Sequence, residues 1–251
     1  MRLKNKVAIV TGGARGIGGG ICEIFCEEGA HCFVIDKDPT DAKVAALRKN
    51  GGTATGVVCD VRKSGQVHAM IDATIKEAGR IDVLVNNAGY HISKGVEELS
   101  EEEWDFLLDT NLKSMFLCTK YALPYLKNTT GTVINMSSMV GLVGQPNACA
   151  YAATKGGIIA MTKNMAIDLA QYGIRVNVIC PGWVQTPLVE DWFGQQEDPG
   201  AARKYIYSQH PLNRIGTSRE IGKIALFLAT EDSAFTTGSV IESDGGITLG
   251  Y

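Results

Sequence analysis

Paired metal ligands are missing from this sequence. Its four histidines are scattered, no H-E-x-x-H segment occurs, and none of its seven cysteines belongs to a C-x-x-C pair. These are spacings at which side chains usually bind zinc or exchange disulfides. We therefore expect no metal site. Most of the cysteines lie in apolar segments, which favours free thiols in a reducing compartment.

An excess of one charge and a long apolar run are missing as well. With 24 Lys and Arg against 27 Asp and Glu, the formal net charge is -3, which gives no general attraction to nucleic acid or anionic membranes. The start, M-R-L-K-N-K-V-A-I-V-T, has too short an apolar run for a signal peptide or a membrane span. We expect a soluble cytoplasmic protein without nucleic-acid or membrane partners.

Repeats and low-complexity linkers are absent too, and what is present is an alternation. Seven apolar, β-branched runs alternate with segments of helical periodicity, which predicts an α/β fold with a doubly wound parallel sheet buried on both faces. Nothing in the length requires more than one domain over residues 1–251. The predicted strands are Val7 to Thr11, His31 to Asp36, Ala54 to Asp60, Ile81 to Asn86, Thr132 to Met136, Arg175 to Cys180 and Ser239 to Ser243.

A glycine-rich turn follows the first predicted strand. The segment T-G-G-A-R-G-I-G ends that strand and opens a helix near Arg15. Glycines allow a pyrophosphate to approach the backbone, and the helix N-terminus favours its charge. Asp36 ends the second strand about 20 residues further on, where a carboxylate binds ribose hydroxyls and repels a 2′-phosphate. We therefore expect NAD, although Arg15 or Lys37 could also reach a 2′-phosphate.

Polar residues also end the third and fourth strands. Asp60-Val61 and Asn86-Asn87-Ala88-Gly89 fall at carboxyl ends of strands, where open α/β sheets bind ligands. These residues are candidates to hold the adenine and to stabilise the central strand.

Tyr151 and Lys155 stand four residues apart on a segment with helical periodicity. Side chains at this spacing project from one face of a helix. A lysine ammonium beside a buried tyrosine could lower the tyrosine pKa by ~3 units, which needs roughly 4 kcal/mol, and would make Tyr151 a general base near neutral pH. The alternative for such a spacing is a packed ring and a solvated amine.

Two further segments interrupt the regular pattern. The region from Gln185 to His210 predicts an irregular insertion, either a mobile lid over a substrate pocket at about 185–210 or a surface excursion. A long helix is predicted from Glu101 to about Lys127, and Asn111 is a polar residue in its core-facing stretch. Asn111 is either functional or an asparagine that bends the helix by bonding to backbone.

Together these motifs resemble the short-chain dehydrogenase/reductase family, in the same order and at similar spacings over essentially the whole chain. The resemblance implies a Rossmann-type single domain of seven parallel strands and a complete catalytic tetrad, Asn111, Ser138, Tyr151 and Lys155. It also implies that Ser138, rather than its neighbour Ser137, bonds the substrate oxygen. Lys155 would hold the nicotinamide ribose, and Asn111 would anchor a water that links Lys155 to solvent.

The resemblance extends to the nicotinamide end of the cofactor, for which Asp36 favours NAD. Pro181-Gly182 and the segment after it, with Val184 and Thr186, would lie along the nicotinamide. The residues expected to bind the cofactor are Gly12, Arg15, Gly16, Ile17, Gly18, Asp36, Asp60, Val61, Asn87, Ala88, Gly89, Tyr151, Lys155, Pro181, Gly182, Val184 and Thr186.

The segments A-L-P-Y-L, V-G-Q, T-P-L and the terminal L-G-Y are similar to the branch of the family with sugar and 17β-hydroxysteroid dehydrogenases. This similarity favours oxidation of an aldose at its anomeric hydroxyl, with a steroid or another secondary alcohol as the alternative. A different class remains possible, a nucleotide-binding module without catalysis. The candidate substrate residues are His91, Ser138, Gln145, Tyr151, Trp183, Leu188, Val189 and Trp192.

Apolar positions on the two helices that carry Asn111 and Tyr151 exceed what one core face needs. In the resembled family such helices pack between subunits, which implies a homotetramer or a homodimer. The uncharged segment Gly245 to Tyr251 is expected to dock on a neighbouring subunit, with Tyr251 near that subunit's substrate pocket.

Overall fold

Seven parallel strands form the central sheet of the computed structural model, which describes residues 1–250. Their spatial order is β3-β2-β1-β4-β5-β6-β9, and a separate two-stranded sheet pairs β7 with β8. The predicted seven-stranded, doubly wound parallel sheet is therefore confirmed. The strands are β1 Val7–Thr11, β2 His31–Asp36, β3 Thr53–Val58, β4 Val83–Asn86, β5 Thr132–Met136, β6 Arg175–Pro181, β7 Val184–Gln185, β8 Gly216–Thr217 and β9 Val240–Ser243.

Successive residues of a strand point to opposite faces of the sheet. Both faces of this sheet are apolar, and helices cover both of them. In β1, Ala8 and Val10 face a core with α1, α2 and α9, whereas Val7 and Ile9 face a core with α3, α5 and α6. The helices are α1 Gly16–Glu27, α2 Asp41–Lys49, α3 Ser64–Ala78, α4 Glu101–Leu107, α5 Ser114–Thr129, α6 Cys149–Ala170, α7 Pro187–Gly194, α8 Pro199–Ser208 and α9 Ser218–Ala229.

The predicted edges of four strands need small corrections. β3 runs from Thr53 to Val58 rather than from Ala54 to Asp60, and β4 begins at Val83 rather than Ile81. β6 ends at Pro181 rather than Cys180, and β9 begins at Val240 rather than Ser239. Before β4, the Asp82 carboxylate accepts a hydrogen bond of 2.9 Å from the backbone N–H of Val7.

The helix predicted from Glu101 to about Lys127 is interrupted. A π-helical turn at Leu108–Lys113 separates α4 from α5, and α5 continues to Thr129. Asn111 lies in this turn, and its side chain bonds the backbone of Tyr90 in the loop after β4. The tertiary contact with that loop accounts for a wider turn that apolar periodicity alone does not reveal.

The region from Gln185 to His210 is not irregular, so that expectation was wrong. It contains α7 and α8, each with proline at its first position and a capping side chain before it, Thr186 and Asp198. T-P and D-P are helix-start signals. The two helices share a small hydrophobic core of their own around the buried Phe193, Ile206 and Ile215.

Candidate active site

The candidate site lies at the carboxyl ends of the strands, on both sides of the point where the strand order reverses. β1 pairs with β2 on one side and with β4 on the other, which is the place where doubly wound sheets bind ligands. Asp36 ends β2, Ser138 follows β5, and the glycine-rich turn lies between them after β1. The fold therefore brings together motifs that are more than 100 residues apart in sequence.

A cleft of about 290 Å³ crosses this edge. Most residues expected to bind a cofactor line it. Those residues are Gly12, Arg15, Gly16, Ile17, Asp36, Asp60, Val61, Asn87, Ala88, Gly89 and Thr186. Leu188, expected to contact substrate, lines this cleft and also the neighbouring cavity.

The glycine-rich turn is held by the N-N-A-G segment. Thr11 Oγ1 accepts hydrogen bonds of 3.0 Å from the backbone N–H groups of Asn87 and Ala88, and Asn87 Nδ2 donates to the carbonyl of Thr11 at 2.9 Å. Gly12 has φ +64, in the left-handed region that favours glycine. Gly18 is not among the residues that line the cleft. It lies beneath the turn, where α1 approaches the carbonyl of Gly12.

Asn111 and Ser138 line neither the cleft nor the neighbouring cavity. The same is true of six residues expected to bind a cofactor, which are Gly18, Tyr151, Lys155, Pro181, Gly182 and Val184. Gly182 packs against the backbone of Asp244, Pro181 ends β6, and Val184 is buried in β7. Lys155 is buried behind Gly89, because a Cβ built on Gly89 would lie 3.7 Å from Lys155 Nζ. The expectation that these residues bind a cofactor stays untested.

The Asp36 carboxylate is fixed at the rim of the cleft. Its Oδ2 accepts from the backbone N–H of Ala14 at 3.1 Å, and its Oδ1 accepts from that of Asp38 at 3.3 Å. Arg15, the alternative partner for a 2′-phosphate, pairs with Asp38 at 3.4 Å. The rim of the cleft thus holds a carboxylate fixed by two backbone N–H groups and an arginine paired with a second carboxylate.

Ser138, Tyr151 and Lys155 lie together, as the sequence predicts. Lys155 Nζ is 5.3 Å from the centre of the Tyr151 ring and donates to the carbonyl of Met136 at 2.9 Å. Ser138 lies beside Tyr151, and its Oγ accepts from the backbone N–H of Val140 at 3.2 Å, whereas Ser137 Oγ donates to the carbonyl of Lys155 at 2.8 Å. Ser137 is therefore occupied in holding α6, and Ser138 is the hydroxyl that faces the phenol.

Burial dominates the ionisation of this pair. It raises the pKa of Tyr151 to about 12, against a smaller lowering by Ser138, and it lowers the pKa of Lys155 to about 8. The expected lowering of the Tyr151 pKa by Lys155 was therefore wrong for the protein alone. Removal of both groups from water favours the neutral phenol and the neutral amine.

Asn111 is fully buried, and its side chain ties three elements together. Nδ2 donates to the carbonyl of Tyr90 at 2.9 Å and to Thr154 Oγ1 at 3.1 Å, and Oδ1 accepts from the backbone N–H of Tyr90 at 2.7 Å. The sequence left open that Asn111 bonds to backbone and bends the helix, and these bonds to the Tyr90 backbone show that it does bond to backbone. The expected anchoring of a water stays a prediction.

A larger cavity of about 820 Å³ lies beside Tyr151. The expected substrate residues that line it are His91, Gln145, Trp183, Leu188, Val189 and Trp192. The His91 ring packs edge-on against that of Tyr151 at 4.6 Å, and its buried Nε2 has no hydrogen-bond partner among the described residues. Burial, with help from the charge of Lys155, lowers the His91 pKa, so the imidazole is neutral at pH 7.

Sequence reasoning missed several residues of both spaces. Met139, Tyr205, Ile206 and Ile247 line the large cavity, and Arg62 and Phe106 line the cleft.

Within residues 1–250, no cluster of three or more His, Cys, Asp or Glu is arranged to hold a metal ion. Over the same residues, no helix is long and apolar enough to cross a bilayer.

Comparison with known proteins identifies the family of this chain. The family model described as enoyl-(acyl carrier protein) reductase matches residues 12–248. The L-fucose dehydrogenase of Bos taurus is 43% identical over 251 residues, which is 100% of this chain and 92% of that protein. The 3-oxoacyl-[acyl-carrier-protein] reductase of Thermotoga maritima is 38% identical, over 99% of this chain and 100% of that protein.

Solved structures give the same result. A protein from Burkholderia xenovorans described as a short-chain dehydrogenase/reductase superposes with a TM-score of 0.96 at 34% identity, over 100% of this chain and 99% of that one. Levodione reductase superposes with a TM-score of 0.95 at 30% identity, over 100% of both chains. The chain therefore belongs to the short-chain dehydrogenase/reductase family of oxidoreductases, which act on CH–OH groups.

Proposed function

We propose that this protein is an NAD-dependent dehydrogenase that transfers hydride between the cofactor and a secondary or anomeric hydroxyl, with a sugar such as an aldose as the favoured substrate. The observation that carries the proposal is the pairing of Tyr151 with Lys155, because Tyr151 contacts His91 of the large cavity and Lys155 lies behind Gly89 of the cleft. The complete tetrad argues against a nucleotide-binding module without catalysis.

The cleft residues fit a dinucleotide. Gly12 and Gly16 both have positive φ, and no side chain caps the start of α1. The first backbone N–H groups of α1 are thus free to bind a pyrophosphate at the positive end of the helix dipole. Asp36 is positioned to accept from the ribose hydroxyls and to repel a 2′-phosphate, which supports NAD.

The protein's own groups then have to handle one proton. NAD supplies the hydride acceptor when bound. Ser138 would donate to the substrate oxygen, and Tyr151 would take the hydroxyl proton as the C–H bond breaks. Lys155 would hold the nicotinamide ribose, and together with the positive charge of the oxidised cofactor it would favour the phenolate. In the reverse direction, Tyr151 returns the proton to the carbonyl oxygen.

The pH dependence should differ between the two directions. Oxidation requires that the Tyr151–Lys155 pair has already lost one proton, so that it can accept the proton of the substrate hydroxyl. Burial sets the pKa of Lys155 to about 8 and that of Tyr151 to about 12. The oxidation rate should therefore rise from pH 7 to pH 10, while the reduction rate should fall over the same range. Initial rates in both directions would show this, with circular dichroism at each pH as a control for folding. A flat or falling oxidation rate between pH 7 and pH 9 would contradict the assignment.

The lining of the large cavity supports a sugar at one end. His91, whose ring contacts that of Tyr151, and Gln145 offer polar atoms to the cavity, and Trp183 and Trp192 provide aromatic faces with ring centres 5.0 Å apart. A second candidate, a hydroxysteroid or another bulky secondary alcohol, is favoured by the volume of about 820 Å³ and by apolar residues such as Val143, Ile206 and Ile247.

A substrate screen tests this proposal. Aldoses, polyols and hydroxysteroids are each incubated with NAD and with NADP, and the reduced nicotinamide is followed by absorbance. We expect turnover of at least one aldose with NAD, and a kcat/KM for NAD at least about tenfold above that for NADP, because Asp36 leaves a 2′-phosphate unpaired. Turnover of steroids alone would select the second candidate. A preference for NADP would show that Arg15 and Lys37 outweigh Asp36.

The proposal includes a homotetramer, or a homodimer, in the cytoplasm. Apolar side chains such as Phe116 on α5 and Ile167 on α6 are exposed, which supports packing of these helices against another subunit. The expected position of Tyr251 lies outside the described residues.

A further inference from the structure

Arg62 lies at the end of the cleft beside β3, two residues beyond Asp60. Its Nε donates to both carboxylate oxygens of Asp60, at 2.9 and 3.1 Å, and its Nη2 donates to Oδ2 at 2.6 Å. The backbone N–H of Arg62 donates to Oδ1 at 3.0 Å. This bidentate contact fixes the plane of the guanidinium group. A lysine ammonium group has no such plane to fix.

An aromatic ring from a different element supports the same group. The Arg62 guanidinium carbon lies 4.9 Å from the centre of the Phe106 ring on α4. Phe106 in turn packs edge-on against Tyr90 at 5.3 Å, and all three residues line the cleft. Arg62 is therefore held by a carboxylate along one edge, and its guanidinium group lies over an aromatic ring.

The ion pair changes the role expected of Asp60. A carboxylate has about four acceptor positions, and the four contacts from Arg62 engage both oxygens. Arg62 accordingly lowers the pKa of Asp60, so the carboxylate is ionised and committed to the pair. Asp60 has little capacity left to accept from an adenine amino group. The cationic plane beside it is the more accessible feature of the cleft.

The register of the sheet places Arg62 at the correct end. Asp36, the residue that we propose binds the adenosine ribose, pairs with Val58 on β3. Neighbouring strands lie about 4.8 Å apart, so a base attached to that ribose reaches the residues that follow β3. These residues are Asp60, Val61 and Arg62.

We propose that Arg62 forms a wall of the adenine site, with its flat guanidinium face stacked on the purine. This inference rests on the proposed function, because it needs a dinucleotide in the cleft. Guanidinium planes stack on aromatic faces, and stacking of a base is worth enough to change its affinity by about tenfold or more. Asp60 and Phe106 act through Arg62 by holding its plane in place before the base arrives.

The test measures binding of 5′-AMP and of NAD by calorimetry, together with steady-state kinetics, for four proteins. Arg62→Ala should weaken the binding of both ligands about tenfold and raise the KM for NAD by a similar factor. Arg62→Lys keeps the charge and an ion pair with Asp60 but loses the plane, so it should bind 5′-AMP almost as weakly as Arg62→Ala. Lys63→Ala removes the same charge from an exposed neighbour that does not line the cleft, and it should bind like the wild type.

The outcomes separate this inference from the proposed function. If wild-type protein binds neither 5′-AMP nor NAD, the proposed function fails. If wild type binds both and Arg62→Lys binds 5′-AMP as tightly as wild type, only charge matters and the stacking wall is refuted. Unchanged binding by Arg62→Ala refutes it as well. A thermal-unfolding scan of each variant accompanies these measurements, and Arg62→Lys keeps the test informative if Arg62→Ala unfolds.

Discussion

Replacing Tyr151 with Phe should lower kcat by roughly 1,000-fold or more and leave the affinity for NAD within about threefold. Removal of a positioned proton-transfer group usually costs 10²- to 10⁴-fold in rate. In the cluster of Ser138, Tyr151 and Lys155, Tyr151 carries the phenol hydroxyl that we propose transfers the proton. The phenyl ring of the variant preserves the edge-on contact with His91, which has a ring distance of 4.6 Å. The fold of the site should therefore survive.

The measurement combines single-turnover rates with calorimetric titration of NAD. Tyr125→Phe is the matched control, because Tyr125 lies on α5, packs against the core and makes no side-chain hydrogen bond among the described residues. It should retain full turnover. Turnover within tenfold of wild type in Tyr151→Phe would show that another group moves the proton.

A methyl group added at Gly18 should disrupt the glycine-rich turn. A Cβ at this position would overlap the backbone of Gly12, with its carbonyl carbon at 2.8 Å, and would lie 2.6 Å from Asn87 Nδ2. Neither neighbour can yield easily, because Asn87 holds the carbonyl of Thr11 and the turn is fixed by backbone. We expect Gly18→Ala to lose about 3 kcal/mol in the free energy of unfolding, the upper part of the range for overpacking, and to lose most of its affinity for NAD.

Gly19→Ala is the control for this change, one residue further along α1. A Cβ there would meet the end of the flexible Lys43 side chain, at 3.3 Å from Nζ, rather than backbone. Alanine inside a helix is more stable than glycine by roughly 0.5–1 kcal/mol, so this variant should be neutral or stabilised. Urea denaturation of both variants gives the comparison. Equal stability of the two would show that the turn can move away from Gly18.

Prediction from sequence worked best where a local pattern has a single physical meaning. Alternating β-branched runs placed all seven strands to within about two residues, because only strands buried on both faces produce such runs between helices. The glycine-rich turn, Asp36 and N-N-A-G were placed together at one edge, because the carboxyl ends of parallel strands always meet there.

Prediction failed where contacts between distant segments decide the outcome. The π-helical turn at Leu108–Lys113 depends on the bond from Asn111 to the Tyr90 backbone, 21 residues away. The two helices between Gln185 and His210 were not predicted, although T-P and D-P are local helix-start signals; they pack on a small core that includes the distant Ile215. The pKa of Tyr151 is raised and not lowered, because burial favours the neutral phenol. Lys155 Nζ donates to the Met136 carbonyl.

The sequence by itself determined the doubly wound sheet, the position of the glycine-rich turn after the first strand and the presence of Tyr151 and Lys155 on one helix, since these depend on residue type and on spacing along one segment. Only the tertiary structure decided that Ser138 rather than Ser137 faces Tyr151, that Gly18 supports the turn instead of lining the cleft, and that Arg62 lies between Asp60 and Phe106. Each of these depends on atoms brought together from different strands and helices, and on how far water is excluded around them. Such information is set by packing in three dimensions and has no counterpart in the spacing of residues along the chain.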